Sequence, residues 1–299
     1  MGIAAGLKTI VVATDLKGRS EAALEYARKL AGAYGARIVL AHGLDPVEYA
    51  AVDGLPDGVL QGLTEEARAV LDKMAGDLIR EGIHGHSEVR QGAVAQMLVD
   101  VARQYEAGLI VVGTKGNRGA GAVAVGAVAE QLVRMAPCAV LAVAADWNAG
   151  PYRPVPGGPV LLAIERNEAM KAAVDTACSL AKTFQRTLLV LHARGPAQTA
   201  AAADPCAGTL QAFGIMAEGA FPVRCLVKDG HPADAIAAAI EENHPCILVA
   251  GVKRASQTPG PHGTAFALLT RSRVPVLCVP PEPDPAVLER EGHELEEVV

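Results

Sequence analysis

Residues 10–15 read Ile10-Val11-Val12-Ala13-Thr14-Asp15, a continuous apolar run that ends in an acidic residue. The pattern returns 150 positions later as Val160-Leu161-Leu162-Ala163-Ile164-Glu165. Each run is followed by a helical pattern and then by a second apolar run that ends in histidine, at His42 and at His192. We interpret both histidines as strand-end residues with a hydrogen-bonded partner. The recurrence predicts two copies of one structural unit in tandem.

The correspondence continues along the chain with a shorter spacing. Arg90-Gln91-Gly92 corresponds to Lys228-Asp229-Gly230 at a spacing of 138, and the last apolar runs, 140–143 and 276–279, differ by 136. The second copy is therefore the shorter one. Most of the residues that it lacks relative to the first copy are missing between its second and third strands.

Apolar runs alternate with helical patterns along each copy. Continuous apolar strands separated by helices predict a parallel sheet that is covered on both faces. Right-handed crossovers then give an α/β, doubly wound, Rossmann-like fold with a five-stranded parallel sheet in each copy. A Pro- and Gly-rich linker predicts domains at 1–148 and 158–282. In the first copy we predict strands near 8–14, 36–42, 84–90, 108–113 and 138–144, and helices near 20–34, 64–81, 93–106 and 126–135.

Composition argues against several classes of partner. The net charge of −6 over 299 residues argues against nucleic acid, because phosphate binding needs a basic face. No apolar stretch is long enough to span a bilayer, so we expect no membrane partner. The six cysteines are far apart and we find no secretory signal pattern, so we expect a cytoplasmic protein with reduced thiols.

Candidate binding residues follow the predicted strands. Open parallel sheets bind ligands at the carboxyl ends of their strands, near a switch in strand order. Asp15 ends the first strand, Gly43 follows the second, and the glycine-rich segment 113–121 precedes a helix that opens near Gly126. Such a loop can wrap a phosphate with backbone N–H groups. Flexible loops also carry glycines, so composition alone leaves both interpretations open.

The glycine spacing adds a resemblance to a known family. Gly113, two residues, Gly116, nine residues and Gly126 are similar to the G-2x-G-9x-G-S/T loop of the universal stress protein family. The helix and strand that follow resemble the closing elements of that family, as the first strand resembles its opening. The resemblance covers most of residues 7–144 and, more loosely, 158–280.

Membership in that family implies an adenine nucleotide alpha hydrolase-like fold that binds ATP, AMP or ADP in the first copy, with accompanying Mg²⁺ left open. It implies that Asp15 approaches the adenine and that the backbone near Gly43 lies beside the base or ribose. We predict no catalytic residue and no metal site. The residues implied for the nucleotide site are Thr14, Asp15, Gly43, Gly113, Gly116, Arg118, Gly126, Ala127 and Val128.

The sequence departs from the family pattern at two places. Ala127 stands where Ser or Thr is expected, which removes a hydroxyl donor to phosphate. A hydrogen bond to a charged group is worth about 1.5–3 kcal/mol, so affinity falls about ten- to a hundredfold. In the second copy Glu165 replaces the aspartate, and the second glycine after Gly251 is missing. We predict that this copy is a structural partner.

The resemblance implies that the last strands, 138–144 and 276–280, pair inside the chain, and a homodimer of chains stays open. A nucleotide-independent interaction scaffold and a slow ATPase are the alternative functions. His84, His86 and Glu88 alternate along a strand as metal ligands do, but we interpret them as a solvated edge.

Overall fold

The computed structural model describes residues 3, 6–16, 18, 20–45, 58–114, 126–145, 157–164, 170–195, 208, 221–253, 267–269, 272 and 274–282. The strands in these residues are β1 (Thr9–Ala13), β2 (Arg37–Leu44), β3 (Gly85–Gln91), β4 (Leu109–Thr114), β5 (Ala139–Ala144), β6 (Val160–Ile164), β7 (Leu188–Arg194), β8 (Val223–Asp229), β9 (Ile247–Gly251) and β10 (Val276–Val279). The helices of nine residues or more are α1 (Glu21–Tyr34), α2 (Val59–Arg80), α3 (Val94–Gln104), α4 (Ala127–Met135), α5 (Met170–Thr183) and α6 (Pro232–Asn243).

All ten described strands form one sheet, in the order β3-β2-β1-β4-β5-β10-β9-β6-β7-β8. Every pairing within a half is parallel, and each half has the doubly wound strand order that the repeat predicts. The prediction of two tandem α/β units is confirmed. The predicted linker lies largely outside the described residues, and the boundaries at 148 and 158 stay a prediction.

The halves join through an antiparallel pair between β5 and β10, as the resemblance noted in the sequence implied. Leu141 lies opposite Leu277 in this pair, with Val140 opposite Cys278 and Ala142 opposite Val276. Leu141 and Leu277 are the same position of the repeat, at the spacing of 136. A residue that faces its own counterpart marks a twofold axis, so the repeats are related by pseudo-twofold symmetry.

The core has two layers because successive strand residues point to opposite faces of the sheet. Ile10 and Val12 lie in the layer formed with α1, α2 and α5. Val11, between them, lies in the layer formed with α3, α4 and α6. All three are fully buried, which explains why β1 is apolar without alternation. No helix in the described part of the chain combines the length and apolar character needed to cross a bilayer.

Element bounds in the first repeat lie within two residues of the predicted ones, except for the start of α2. This helix begins at Val59 instead of near residue 64. Thr64 resembles a helix cap in the sequence, but its hydroxyl donates to the carbonyl of Leu60, 2.6 Å away, inside the helix. The true start follows Gly58, whose φ of 97° only glycine adopts without strain.

Candidate functional site

The carboxyl end of β1 lies at the point where the strand order reverses. β1 pairs with β2 on one side and with β4 on the other, and Val12 lies opposite Val111. Extending that register by two residues brings Thr14 beside Gly113. The fold thus places Thr14, Asp15 and Gly113 at one edge of the sheet, where doubly wound folds bind ligands.

Two hydrogen bonds fix Thr14 to the neighbouring strand β2. The Thr14 amide donates to the carbonyl of Ala41 at 3.0 Å. His42 Nδ1 lies 2.8 Å from the carbonyl oxygen of Thr14. A carbonyl only accepts, so Nδ1 carries the proton in this contact. The interpretation of His42 as a strand-end histidine with a partner is confirmed, and its partner belongs to the candidate site.

A chain of hydrogen bonds organises the turn between β1 and α1. The Leu16 amide donates to Thr14 Oγ1 at 3.2 Å, and Thr14 Oγ1 lies 2.9 Å from Ser20 Oγ. The Ser20 hydroxyl donates to Asp15 Oδ1 at 3.2 Å. Leu16 has a φ of 55°, in the left-handed region that few side chains tolerate. The hydroxyl groups of Thr14 and Ser20 therefore stabilise a backbone turn of unfavourable geometry. They also fix the position of the Asp15 carboxylate.

Ser20 precedes α1 at the position where a serine usually caps a helix. Its side chain makes no cap hydrogen bond to α1, although such a bond contributes about 1 kcal/mol. The residue is buried, with 8% of its surface exposed. Its hydroxyl serves Thr14 and Asp15 instead.

A pocket of about 110 Å³ lies behind this turn, between α1, α2 and the ends of β1 and β2. Thr14, Ser20 and Glu21 are the polar residues among those that line it. The residues that line it are Val12, Thr14, Leu16, Gly18, Ser20, Glu21, Leu24, Leu40, Val70 and Met74. Among the described residues of the predicted nucleotide site, Thr14 is the member on this wall.

Gly43 lies in β2 and lacks a side chain for a packing reason. A Cβ atom there would lie 2.8 Å from Met97 Cε, 3.1 Å from Val94 Cγ2 and 3.3 Å from Val94 Cα. Helix α3 thus fills the space beside Gly43. Its role beside a base or ribose stays a prediction.

The amino terminus of α4 carries three of the predicted nucleotide residues. Gly126 is the N-cap residue, with extended φ and ψ of −70° and 142° and no side-chain cap hydrogen bond. Ala127 is exposed and Val128 is half-buried. The first N–H groups of a helix have no partner within the helix, and the helix dipole makes this end positive. The geometry suits an anion.

Two predicted site residues, Gly116 and Arg118, lie outside the described residues, in the segment 115–125. Their roles stay predictions. In the second repeat the same holds for Glu165 and for the loop 254–266.

The second repeat lacks the hydroxyl pair. At the repeat spacing of 150, Thr14 corresponds to Ile164 and Ser20 to Met170. Met170 is 9% exposed and belongs to the hydrophobic core. Sequence reasoning missed the role of Ser20, and comparing the two repeats position by position was the signal that could have found it.

The cluster on the edge strand β3 is held by a tyrosine and an arginine. Glu88 accepts hydrogen bonds from Tyr105 Oη at 2.5 Å and from Arg90 Nε at 3.3 Å, and His86 Nε2 lies 3.6 Å from its carboxylate. Burial and the Glu88 carboxylate raise the pKa of Tyr105 to about 12. The described residues contain no group of three or more His, Cys, Asp or Glu that could hold a metal ion.

Comparisons with known proteins agree with this architecture. The model of the Universal stress protein family matches residues 6–144 and 158–280. A universal stress protein of Methanocaldococcus jannaschii is 30% identical over 138 residues, which are 46% of this chain and 81% of that protein. A universal stress protein of Mycolicibacterium smegmatis is 30% identical over 193 residues, which are 61% of this chain and 63% of that protein.

A solved structure shares the tandem arrangement over nearly its whole length. The universal stress protein from Archaeoglobus fulgidus aligns with a TM-score of 0.74, covering 91% of this chain and 98% of that chain. Its sequence identity of 20% supports the fold alone. The resemblance noted in the sequence is confirmed, as is the tandem form.

Proposed function

Because the chain belongs to the universal stress protein family, we propose that it is a stress-response protein that binds ATP or AMP in its first repeat, as a sensor or regulator. The proposal rests on one structural relationship. The Asp15 turn lies at the switch point of the sheet, next to β4, and β4 leads to the helix α4 whose amino terminus has no side-chain cap. The carboxylate of Asp15 suits a base, and the amino terminus of α4 suits phosphates.

The phosphate end is built from backbone groups. The N–H groups of Ala127 and Val128 open α4, where the positive end of the helix dipole favours an anion. We assign Gly113, Gly116 and Arg118 to the loop that closes over the phosphates. Because Ala127 lacks a hydroxyl, we expect weaker binding than a Ser or Thr at this position gives.

The base end is built around Asp15. An ionised carboxylate accepts hydrogen bonds only, so it selects amino or hydroxyl donors of a base or sugar. Asp15 is half-buried and its Oδ1 already accepts the Ser20 hydroxyl, which holds it at the edge of the sheet. Extending the register between β1 and β2 by two residues brings Gly43 beside Asp15.

One site per chain is expected. Ile164 and Met170 take the places of the hydroxyl pair in the second repeat, so that repeat lacks the two hydrogen-bonded hydroxyl groups, one of which contacts the acidic residue in the first. We assign the second repeat a structural role, since β10 completes the sheet at β5. We place the protein in the cytoplasm, where the thiols of the described cysteines would stay reduced.

Isothermal titration of ATP into nucleotide-stripped protein, with and without Mg²⁺, tests the proposal. We expect one site per chain, weakened at least tenfold by Gly116→Val, which puts a branched side chain where backbone must approach phosphate. Ala127→Ser should strengthen binding about tenfold by restoring a donor. The matched control is Ala33→Ser, at an exposed position in the last turn of α1, at the opposite end of that helix from Ser20.

Failure to bind ATP or AMP would reject the sensor and favour the nucleotide-independent scaffold. Binding of two nucleotides per chain would reject the structural role of the second repeat. Binding that Gly116→Val leaves unchanged would reject the site but not the function.

A further inference from the structure

Ser20 stands at a helix N-cap, yet its hydroxyl caps nothing. We propose that Ser20 is a positioning residue of the nucleotide site, which acts through Asp15 and is supported by Thr14. The inference rests on the proposed function. It assigns to a buried hydroxyl of the first repeat the task of holding the carboxylate in its binding orientation.

The donor and the acceptor of each hydrogen bond in this turn can be assigned. A carboxylate oxygen accepts hydrogen bonds, so Ser20 donates its single hydroxyl proton to Asp15 Oδ1 at 3.2 Å. Thr14 must then donate to Ser20 Oγ at 2.9 Å, and Thr14 Oγ1 accepts from the Leu16 amide at 3.2 Å. The series of hydrogen bonds thus starts at the Leu16 amide and ends at the Asp15 carboxylate.

The Ser20 oxygen also receives the amide of the residue that it positions. The Asp15 N–H lies 3.4 Å from Ser20 Oγ. Backbone and side chain of Asp15 are thus tied to the same atom, which restricts rotation of the carboxylate about the backbone. A group that is fixed before binding loses less conformational entropy when the ligand arrives.

The second repeat shows what the position becomes when the hydroxyls are absent. Met170 and Ile164 take the places of Ser20 and Thr14, and the acidic residue there is Glu165. Met170 is part of the core, with 9% of its surface exposed. The fold therefore accommodates a buried apolar residue at this position, at the start of α5. The requirement for Ser20 arises in the repeat to which we assign the ligand.

A double-mutant cycle with ATP affinity as the readout tests the proposal. Ser20→Ala should weaken ATP binding about tenfold in the wild-type background. In the Asp15→Asn background the same substitution should change affinity less than twofold, because the group on which Ser20 acts has lost its charge. A purely structural role for Ser20 would give the same loss in both backgrounds.

Two further variants test whether a loss of affinity comes from the missing hydroxyl group. Ser20→Thr retains the hydroxyl and should restore affinity to within threefold of wild type. Thr14→Val should weaken binding as Ser20→Ala does, whereas Thr176→Val should not. Thr176 is a matched control because it is a buried threonine of α5 in the second repeat. Urea unfolding of each variant shows that it is folded.

The outcomes separate the two proposals. Lack of ATP binding by the wild-type protein overturns the proposed function, and the role of Ser20 falls with it. Wild-type binding that Ser20→Ala leaves unchanged, an equal loss in both backgrounds, or no recovery in Ser20→Thr overturns the positioning role alone. If Asp15→Asn binds too weakly for the cycle, recovery in Ser20→Thr and the contrast between Thr14→Val and Thr176→Val decide the matter.

Discussion

Tyr34 and Phe184 occupy the same position of the two repeats, and their rings meet edge to face across the boundary between the halves. The ring centroids lie 6.4 Å apart and the planes are inclined by 73°. This is a second contact between counterparts, beside that of Leu141 and Leu277 in the sheet. The twofold relationship therefore extends from the sheet to the helices above it.

The first prediction concerns this ring pair. Tyr34→Ala and Phe184→Ala should each lower the free energy of unfolding, and the double variant should lose less than the sum. Edge-to-face aromatic pairs contribute about 0.5–1.5 kcal/mol beyond their buried area, and we expect a coupling energy in that range. Urea unfolding of the four proteins measures it. Strict additivity would show that the contact between the two rings does not stabilise the boundary.

The second prediction concerns Tyr26, whose hydroxyl donates to the carbonyl of Cys246 in the other half at 3.2 Å. Burial, and secondarily the thiol of Cys246, raise the pKa of Tyr26 well above its ordinary value. Tyr26→Phe should cost about 1 kcal/mol of unfolding free energy, because a buried acceptor loses its donor. Tyr34→Phe is the control. Its half-buried hydroxyl contacts Ser179, and we expect a smaller loss. Equal losses would contradict the assignment.

The third prediction concerns acid stability. Partial burial opposes the ionisation of Glu88, but hydrogen bonds from Tyr105 and Arg90 outweigh it and lower the pKa of Glu88 below its ordinary value of 4.5. A lowered folded-state pKa gives stability that is present above pH 4.5 and is lost as pH falls through the folded-state value. Tyr105→Phe should therefore cost about 1 kcal/mol at pH 7 and less at pH 3.

Urea unfolding of wild type and Tyr105→Phe across this pH range measures the difference. The control is Arg103→Gln, which removes a 3.7 Å ion pair between Arg103 and Asp100. Their side chains are 63% and 48% exposed. Exposed pairs of this kind contribute little, so we expect a change below about 0.5 kcal/mol at both pH values. A Tyr105→Phe effect that does not depend on pH would refute the role of Glu88.

The fourth prediction compares one substitution at two glycines. In Gly85→Ala the new Cβ would lie 2.7 Å from the carbonyl oxygen of Ala75 and 3.1 Å from Leu78 Cβ, and backbone cannot yield cheaply. We expect a loss of about 1–3 kcal/mol. Gly62→Ala meets nothing within 4 Å and lies in helix α2, so it should gain about 0.5–1 kcal/mol. Thermal unfolding should show shifts of opposite sign, and shifts of the same sign would contradict the packing between α2 and β3.

The fifth prediction concerns thiol reactivity. Burial raises the pKa of Cys138 and of Cys278 to about 12, whereas Cys225 is exposed on β8. The thiolate is the reactive form, so at pH 8 a disulfide reagent should label Cys225 first among these three. Peptide mapping by mass spectrometry after timed quenching checks the order. Rapid native labelling of Cys278 would mean that β10 opens from the sheet.

Much of the fold was predictable because burial on both faces leaves a direct trace in the sequence. The runs at Ile10 and Leu109 are apolar without alternation since each residue meets a core layer. The start of α2 was not predictable in this way. Thr64 and the acidic residues after it imitate a helix cap, and the bond from Thr64 to Leu60 exists only once the helix has formed.

The candidate site was predictable in part. Asp15 and Gly126 were predicted to follow a strand and to open a helix, and the structure places them there, after β1 and at the N-cap of α4, while their role in binding stays a prediction. The hydrogen-bonded turn was not found, since it depends on a left-handed Leu16 that brings Ser20 back to Thr14. A serine directly before a helix is expected to cap that helix. The local sequence does not show that the Ser20 hydroxyl turns away from α1 and contacts Asp15 instead.

The antiparallel pair between β5 and β10 also affects how the protein can change. In an assembly of two separate identical chains, dilution drives dissociation and every mutation is inherited by both sides at once. Here the two sides are parts of one polypeptide, so their association does not depend on protein concentration. A mutation alters one side and spares the other. One half can therefore carry serine and threonine where the other carries methionine and isoleucine, within a single continuous sheet.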